Sequence, residues 1–240
     1  MRIAILSDIH GNRTAFEAVL KDLRETAPDL VLHGGDLADS GSSGAWIVDR
    51  IRDLGWPGII GNTDEMLAVP KSFDDFAAQS PQLAAMWAAI REIAAASRDR
   101  LGDERVAWLG SLPRTHVRAP IALVHASPKS VWRSPQPEAG DADLEAVYGG
   151  LGQPIAVYGH VHRPYIRNLP GLTVVNSGSV GLPYDGDPRA AYLLLDDGVP
   201  STRRVAYDVD KEVAELKASG MPYHEWIART IVAARPQALP

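Results

Sequence analysis

Short apolar runs in this chain repeatedly lead to a side chain able to bind a metal ion. Ile3 to Leu6 approaches Asp8 and His10, Leu30 to Leu32 approaches Asp36, and Gly58 to Ile60 approaches Asn62; Ile121 to Val124 runs into His125, and Ile155 to Tyr158 into His160 and His162. Runs of this length and composition read as strands. Ligands scattered from Asp8 to His162 become neighbours only if those strands lie side by side with their C-terminal ends together, which is where open α/β sheets place their sites. Asp8 to Asp36 is 28 residues and Asp36 to Asn62 is 26. A βαβ unit takes about 30 residues, so each interval returns the chain to the same sheet edge through a right-handed crossover.

The segments between these runs have helical periodicity. Asn12 to Arg24 presents Ala15, Phe16, Val19, Leu20 and Leu23 on one face, and Ala45 to Leu54 presents Trp46, Ile47, Ile51 and Leu54. From about 73 to 110 the chain is Ala-rich, with Trp87, Ile90 and Ile93 at helical spacing and Gly102-Asp103 marking off a shorter second helix. This insert is expected either to wall a substrate cleft or to pack on the outer face of a sheet. The second half adds strands at Tyr165–Leu169, Leu172–Val175, Ala191–Leu195 and Thr202–Tyr207, with a hairpin turn at Pro170-Gly171. Helices at Asp210–Ser219, opened by an Asp cap, and Tyr223–Ala233 precede a tail expected to fray. No repeat or linker divides the chain, so 1–240 reads as a single domain.

With 240 residues and 45% hydrophobic content, the chain can bury a full core. A formal net charge of −6 argues against stable binding to duplex nucleic acid. Absence of cysteine removes disulfides and thiolate chemistry and fits a reducing compartment. The apolar N-terminal run is cut by Ser7 and Asp8, too short for a signal peptide. Leu83 to Ile90 falls far short of the ~18 residues of a membrane span. The expectation is a cytoplasmic protein that makes no use of a membrane.

Taken singly, the candidate ligands are ambiguous. Asp36 in Gly34-Gly35-Asp36 is equally a loop or helix-cap aspartate, Asn62-Thr63-Asp64 is ordinary turn chemistry, and His125 alone reads better as a core histidine. Gly159-His160-Val161-His162 is more specific, because two imidazoles beside a glycine after a strand are costly without a ligand. Carboxylate and amide oxygens mixed with imidazoles suit a pair of first-row divalent cations better than calcium or a structural zinc.

In this order, the clusters resemble the signature of the calcineurin-like metallophosphoesterase superfamily: Asp-x-His, Gly-Asp, Gly-Asn-His-Asp/Glu, a lone His and Gly-His-x-His. Asn176-Ser-Gly-Ser-Val-Gly181 extends the likeness toward small bacterial phosphodiesterase-type members. The resemblance implies an α/β fold, a four-layer αββα sandwich of two mixed sheets flanked by helices. It also implies two divalent ions, Mn²⁺, Fe²⁺/Fe³⁺ or Zn²⁺. Asp8, His10 and His162 would hold one and Asn62, His125 and His160 the other, with Asp36 between them. A hydroxide bridging the ions would attack a phosphodiester or phosphoanhydride in a small phosphorylated, nucleotide-like substrate. A dinucleoside polyphosphate hydrolase and a non-catalytic scaffold are the alternatives that the superfamily offers.

One departure stands out. Where the family often carries a His that serves the leaving oxygen, this chain has Thr63, whose hydroxyl donates a hydrogen bond but does not titrate near neutrality. Slow reaction of poor leaving groups follows, unless the neighbouring Asp64 serves as the acid. Arg133 and Arg189, with Lys129 and Tyr184, are candidate phosphate contacts, and Trp132 is a candidate stacking surface. His33 reads as a core histidine.

Overall fold

The computed structural model describes residues 1–239. Strand β1 (Arg2–Leu6) pairs in parallel with β2 (Leu30–His33) after helix α1 (Arg13–Thr26), whose first turn is capped by Asn12 Oδ1 accepting from Ala15 N at 2.9 Å. Helix α2 (Gly44–Leu54) follows, then α3 (Asn62–Ala68), α4 (Pro70–Ala77) and the long α5 (Ala84–Gly110), which breaks at Gly102 where φ is 72°. Next come β3 (Thr115–Arg118), β4 (Ile121–Val124), α6 (Asp141–Tyr148), β5 (Ile155–Tyr158), β6 (Tyr165–Leu169) and β7 (Leu172–Asn176). The chain closes with β8 (Ala190–Asp196), β9 (Val199–Val205), α7 (Val209–Ala218) and α8 (His224–Ala233). Two mixed sheets result, ordered β2-β1-β8-β9 and β3-β4-β5-β7-β6.

Alternation along the strands builds four layers. Ala4 and Leu6 of β1 join Tyr192 and Leu194 of β8 in a core shared with α1 and α2. Ile3, Ile5, Leu193 and Leu195, from the opposite faces of the same strands, meet Ile121, Leu123, Ile155 and Val157 of the other sheet. The remaining face of β5, Ala156 and Tyr158, packs with Leu144 and Tyr148 of α6. Because side chains alternate with a period of two, strands buried on both faces need continuous apolar runs. This is the expected αββα sandwich.

Several local expectations change. Gly58 makes a single parallel bridge to His33, so Gly58–Ile60 is no third strand of the first sheet; Ile60 N donates instead to Pro113 O at 2.9 Å. Strand β3 and helices α3 and α6 fall outside the expected elements, and α4 starts ahead of the helical insert expected from about 73. The cap of α7 is Asp208, which accepts from Lys211 N. The insert divides: Leu101, Val106 and Leu109, beyond or at the break in α5, enter the core with α2, while Trp87, Ile90 and Ile93 line a cavity. Among the described residues, no helix is long and apolar enough to cross a membrane.

Candidate metal centre

The C-terminal ends of β1, β2, β4 and β5 converge, and backbone bonds stitch the loops that follow them. Gly34 N donates to Leu6 O, Asp8 N to Gly35 O and Gly159 N to His125 O, at 2.7–3.0 Å. Each loop must turn sharply enough to aim its side chain back across the sheet edges. Asp8, His10, Asp36, His160 and His162 all have φ between 49° and 66°. That left-handed region is uncommon for residues other than glycine and clusters where surrounding structure enforces it, often at functional sites. Close approach also demands glycine twice: a Cβ on Gly61 would lie 2.0 Å from Asp36 Oδ1, and one on Gly159 would lie 2.4 Å from Asp8 Oδ2.

All seven predicted ligands meet at this edge. Ligand atoms of Asp8, His10, Asp36 and His162 lie within 4.8 Å of one another, all four residues buried. His162 Nε2 is 3.1 Å from Asp8 Oδ1 and 3.3 Å from His10 Nε2. His10 Nε2 and His125 Nε2 stand 3.7 and 3.5 Å from Asp36 Oδ2. Asn62 Oδ1 is 2.9 Å from His125 Nε2 and 2.8 Å from His160 Nδ1.

Protonation tests whether this donor set fits cations. His162 Nδ1 lies 2.6 Å from Leu182 O and His125 Nδ1 2.8 Å from Gly34 O. Carbonyls only accept, so a neutral ring spends its one proton there and turns a bare Nε2 inward. Lone pairs then face carboxylate and amide oxygens, an arrangement that needs a proton or a cation between them. Turning the Asn62 amide over would let its NH₂ donate to both imidazoles and to Asp36, as a metal-free protein would prefer; with the oxygen inward, the same atoms suit a cation. The carbonyl bonds that fix ring tautomers are the usual outer support of metal-ligating histidine.

Electrostatics agree. Burial opposes charge on His125, yet Asp36 and Asp8 push it up to about 10, so a proton holds the place of positive charge. Burial and neighbouring imidazoles bring His10 and His160 down to about 4. Asp36 stays well below the usual carboxylate range because His125 and His10 outweigh its burial, and Thr63 N donates to its Oδ1 at 2.8 Å.

The other predicted site residues separate. Thr63 reaches the cavity beside the cluster, its Oγ1 buried and without a partner. Asp64 does not reach it: both carboxylate oxygens accept backbone N–H groups, from Asp36 at 2.7 Å, Leu37 at 3.0 Å and Gly61 at 3.0 Å, and the side chain is wholly buried. A role for Asp64 as acid is therefore replaced by that of a clamp on the loops carrying Asp36 and Asn62. Burial and the charge of Asp36 push its carboxyl up to about 7. Arg189 is exposed and paired with Asp187 at 2.6 Å, and exposed Arg133 lies over Phe76 and donates to Gln79 Oε1; neither lines the cavity beside the cluster. Tyr184 does, its ring stacked on His162 at 4.4 Å, and Trp132 stacks on Phe76 at 4.9 Å. His33 is a core residue with burial holding it down to about 3.

The Asn176–Gly181 segment braces the cluster from beneath. Asn176 Nδ2 donates to Gly159 O at 2.6 Å and Ser179 Oγ to Asp8 O at 2.7 Å. Residues from α8 and its tail were not foreseen. Trp226 and Thr230 line the cavity, and Arg235 borders a broader cleft that His160 also lines. A helical pattern near the C-terminus says nothing of which face meets a site built by residues 8–162.

Comparison with known proteins agrees with this fold. A chain from Sphaerobacter thermophilus, solved as a metallophosphoesterase, superposes with a TM-score of 0.79 at 26% identity, covering 98% of this chain and 100% of that one. A hypothetical protein from Pyrococcus horikoshii superposes with a TM-score of 0.84 at 19% identity, covering 98% and 99%. An uncharacterised protein of Methanocaldococcus jannaschii is 27% identical over 97% of this chain and 98% of its own length. The family description that matches residues 1–198 is the calcineurin-like phosphoesterase superfamily domain, and the chain belongs to that superfamily.

Proposed function

We propose that this chain is a single-domain hydrolase of phosphodiester or phosphoanhydride bonds, working with two divalent cations that share Asp36. The observation that carries this reading is the convergence of acceptor atoms from Asp8, His10, Asp36, Asn62, His125, His160 and His162, with two imidazole protons already spent on carbonyls. Asp8, His10 and His162 would hold one ion and Asn62, His125 and His160 the other; manganese, iron and zinc all suit such N/O sites. Paired cations supply a nucleophile from water at neutral pH and offset the charge of the phosphoryl oxygens.

The protein's own groups do the rest. The Thr63 N–H fixes one oxygen of Asp36, leaving Oδ2 toward His10 and His125. Leu182 and Gly34 carbonyls hold the two imidazoles in the tautomer a cation needs. Thr63 Oγ1, buried and without a partner, would offer a hydrogen bond to a departing oxygen on turning into the cavity, without being able to protonate it, which favours diesters and anhydrides with good leaving groups. Arg235, which lines the same broad cleft as His160 and has no ion pair among the described residues, would meet a non-bridging phosphate oxygen or a second anionic arm.

Elemental analysis after Mn²⁺ loading, together with hydrolysis of bis-nitrophenyl phosphate, tests this reading. Two ions per chain and turnover are expected, both lost in Asp36→Ala. Loading without turnover of any phosphate ester would instead mark a metal-binding scaffold. Near-normal turnover of Asp36→Ala would refute the shared ligand.

A further inference from the structure

The cavity that opens on the metal cluster has a wall of unexpected character. Its volume is about 270 Å³, and at the cluster it presents Asn62, Thr63, His10 and His160. Away from the cluster the wall is aromatic and aliphatic: Phe73 and Phe76 from α4, Trp87 and Ile90 from α5, Trp132, and Trp226 from α8. Each of the three indole N–H groups is already committed, Trp87 to Ser80 O, Trp132 to Glu65 Oε2 and Trp226 to Gln237 O, at 2.6–2.9 Å. The hydroxyl of Thr230 donates to Trp226 O and that of Ser40 to Asp39 Oδ2. The wall away from the cluster therefore offers ring faces, and the Tyr184 hydroxyl, an uncommitted donor of the cavity, belongs to the ring stacked against His162 at the cluster end.

It also offers no cation. Among the described residues, no lysine or arginine lines this cavity, and the one carboxyl in its wall is the buried Asp39. A chain of further phosphates entering here would meet apolar rings and a carboxyl rather than counter-charge. A nucleobase would leave its own polar edge unsatisfied, the costly half of hydrogen-bond bookkeeping. Size narrows the guest further: a dry cavity of about 150 Å³ accepts benzene, so this one accommodates a one- or two-ring group.

Resting on the phosphoesterase reading above, we infer that this cavity is the specificity pocket for an apolar, ring-sized ester substituent of the reacting phosphate. The substrate class is then phosphate esters carrying a neutral aryl or compact alkyl group, with any second arm leaving past Arg235. Nucleoside polyphosphates are disfavoured.

The test uses the Mn²⁺-loaded full chain and phosphodiesters sharing one p-nitrophenyl leaving group, with methyl, phenyl, 2-naphthyl or thymidine-5′ as the second substituent. Specificity, kcat/KM, should rise at least about tenfold from methyl to naphthyl, mainly through KM, with the thymidine ester close to methyl. Ile90→Trp, which fills the cavity, should cut the naphthyl-to-methyl ratio about tenfold. Saturable quenching of tryptophan fluorescence by naphthyl methylphosphonate reports the pocket without turnover. A flat series with the methyl ester still hydrolysed overturns this inference alone, as does preference for the thymidine ester or for diadenosine tetraphosphate. Quenching that saturates without hydrolysis of any ester supports the pocket and refutes the phosphoesterase reading.

Discussion

Removing the Asp64 carboxylate separates a clamp from an acid. In Asp64→Ala, three buried backbone N–H groups, those of Asp36, Leu37 and Gly61, lose acceptors now 2.7–3.0 Å away. Each unsatisfied buried donor costs roughly 1–3 kcal/mol. Water entering the vacated space and relief of the repulsion from Asp36 offset part of this, leaving a net loss of about 3–5 kcal/mol. For a chain of this size each kcal/mol moves Tm by about 2–4 °C, so a drop on the order of 10–15 °C is expected. Asp64→Asn keeps one oxygen for two of the three donors and should lose about 1–3 kcal/mol.

The pH dependence has a definite sign. Burial and the charge of Asp36 raise the Asp64 carboxyl to about 7 in the folded protein, against 3.8 as its ordinary value. The folded state therefore holds a proton that the unfolded chain has released. Ionised Asp64 costs stability as pH climbs through that interval, and fully so above it. In metal-free protein the gap between parent and Asp64→Ala should be wider at about pH 5 than at about pH 8. Mn²⁺ should widen it again at pH 8 by neutralising Asp36. Urea unfolding followed by tryptophan fluorescence measures each gap. If both variants unfold within about 1 kcal/mol of the parent yet lose a hundredfold or more on poor leaving groups alone, Asp64 is the acid and the clamp is wrong.

Three further outcomes are expected. Gly61→Ala should abolish metal loading while leaving the far core folded, because its Cβ would fall 2.0 Å from Asp36 Oδ1; elemental analysis and circular dichroism read the two effects. Thr63→His should raise turnover about ten- to a hundredfold on alkyl leaving groups and little on nitrophenyl ones, flattening the dependence of rate on leaving-group pKa; an unchanged slope would show that this position does not serve the leaving oxygen. His125 stands at about 10 while His10 and His160 lie near 4, so Mn²⁺ displaces one imidazole proton: apparent affinity should rise about tenfold per pH unit between about pH 6 and 9, with one proton released in calorimetry. A pH-independent affinity would contradict that assignment.

What could be read from the residues alone was whatever the period and spacing of the chain encode locally. Ile3–Leu6, Ile121–Val124 and Ile155–Tyr158 are apolar at every position because both sheet faces are covered, and that pattern survives without coordinates. The interval of 28 residues brings Asp8 and Asp36 to one edge because a βαβ unit takes about that length. Other features depended on partners distant in sequence. Asp64 looked like a turn residue beside a metal ligand; only the fold brings the N–H groups of Asp36 and Leu37 to its oxygens. Gly58–Ile60 looked like a strand, but Ile60 pairs with Pro113 rather than with the sheet. Arg189 is the local exception: Asp187, two residues away, takes the guanidinium that read as a phosphate contact. The cavity wall is the clearest case, since Phe73, Trp87, Trp132 and Trp226 are ordinary apolar residues of separate segments. Helical periodicity tells which side of a helix is buried but not against what. Here tertiary packing turned one such face toward the cluster of candidate ligands and so made the wall of the adjoining cavity apolar.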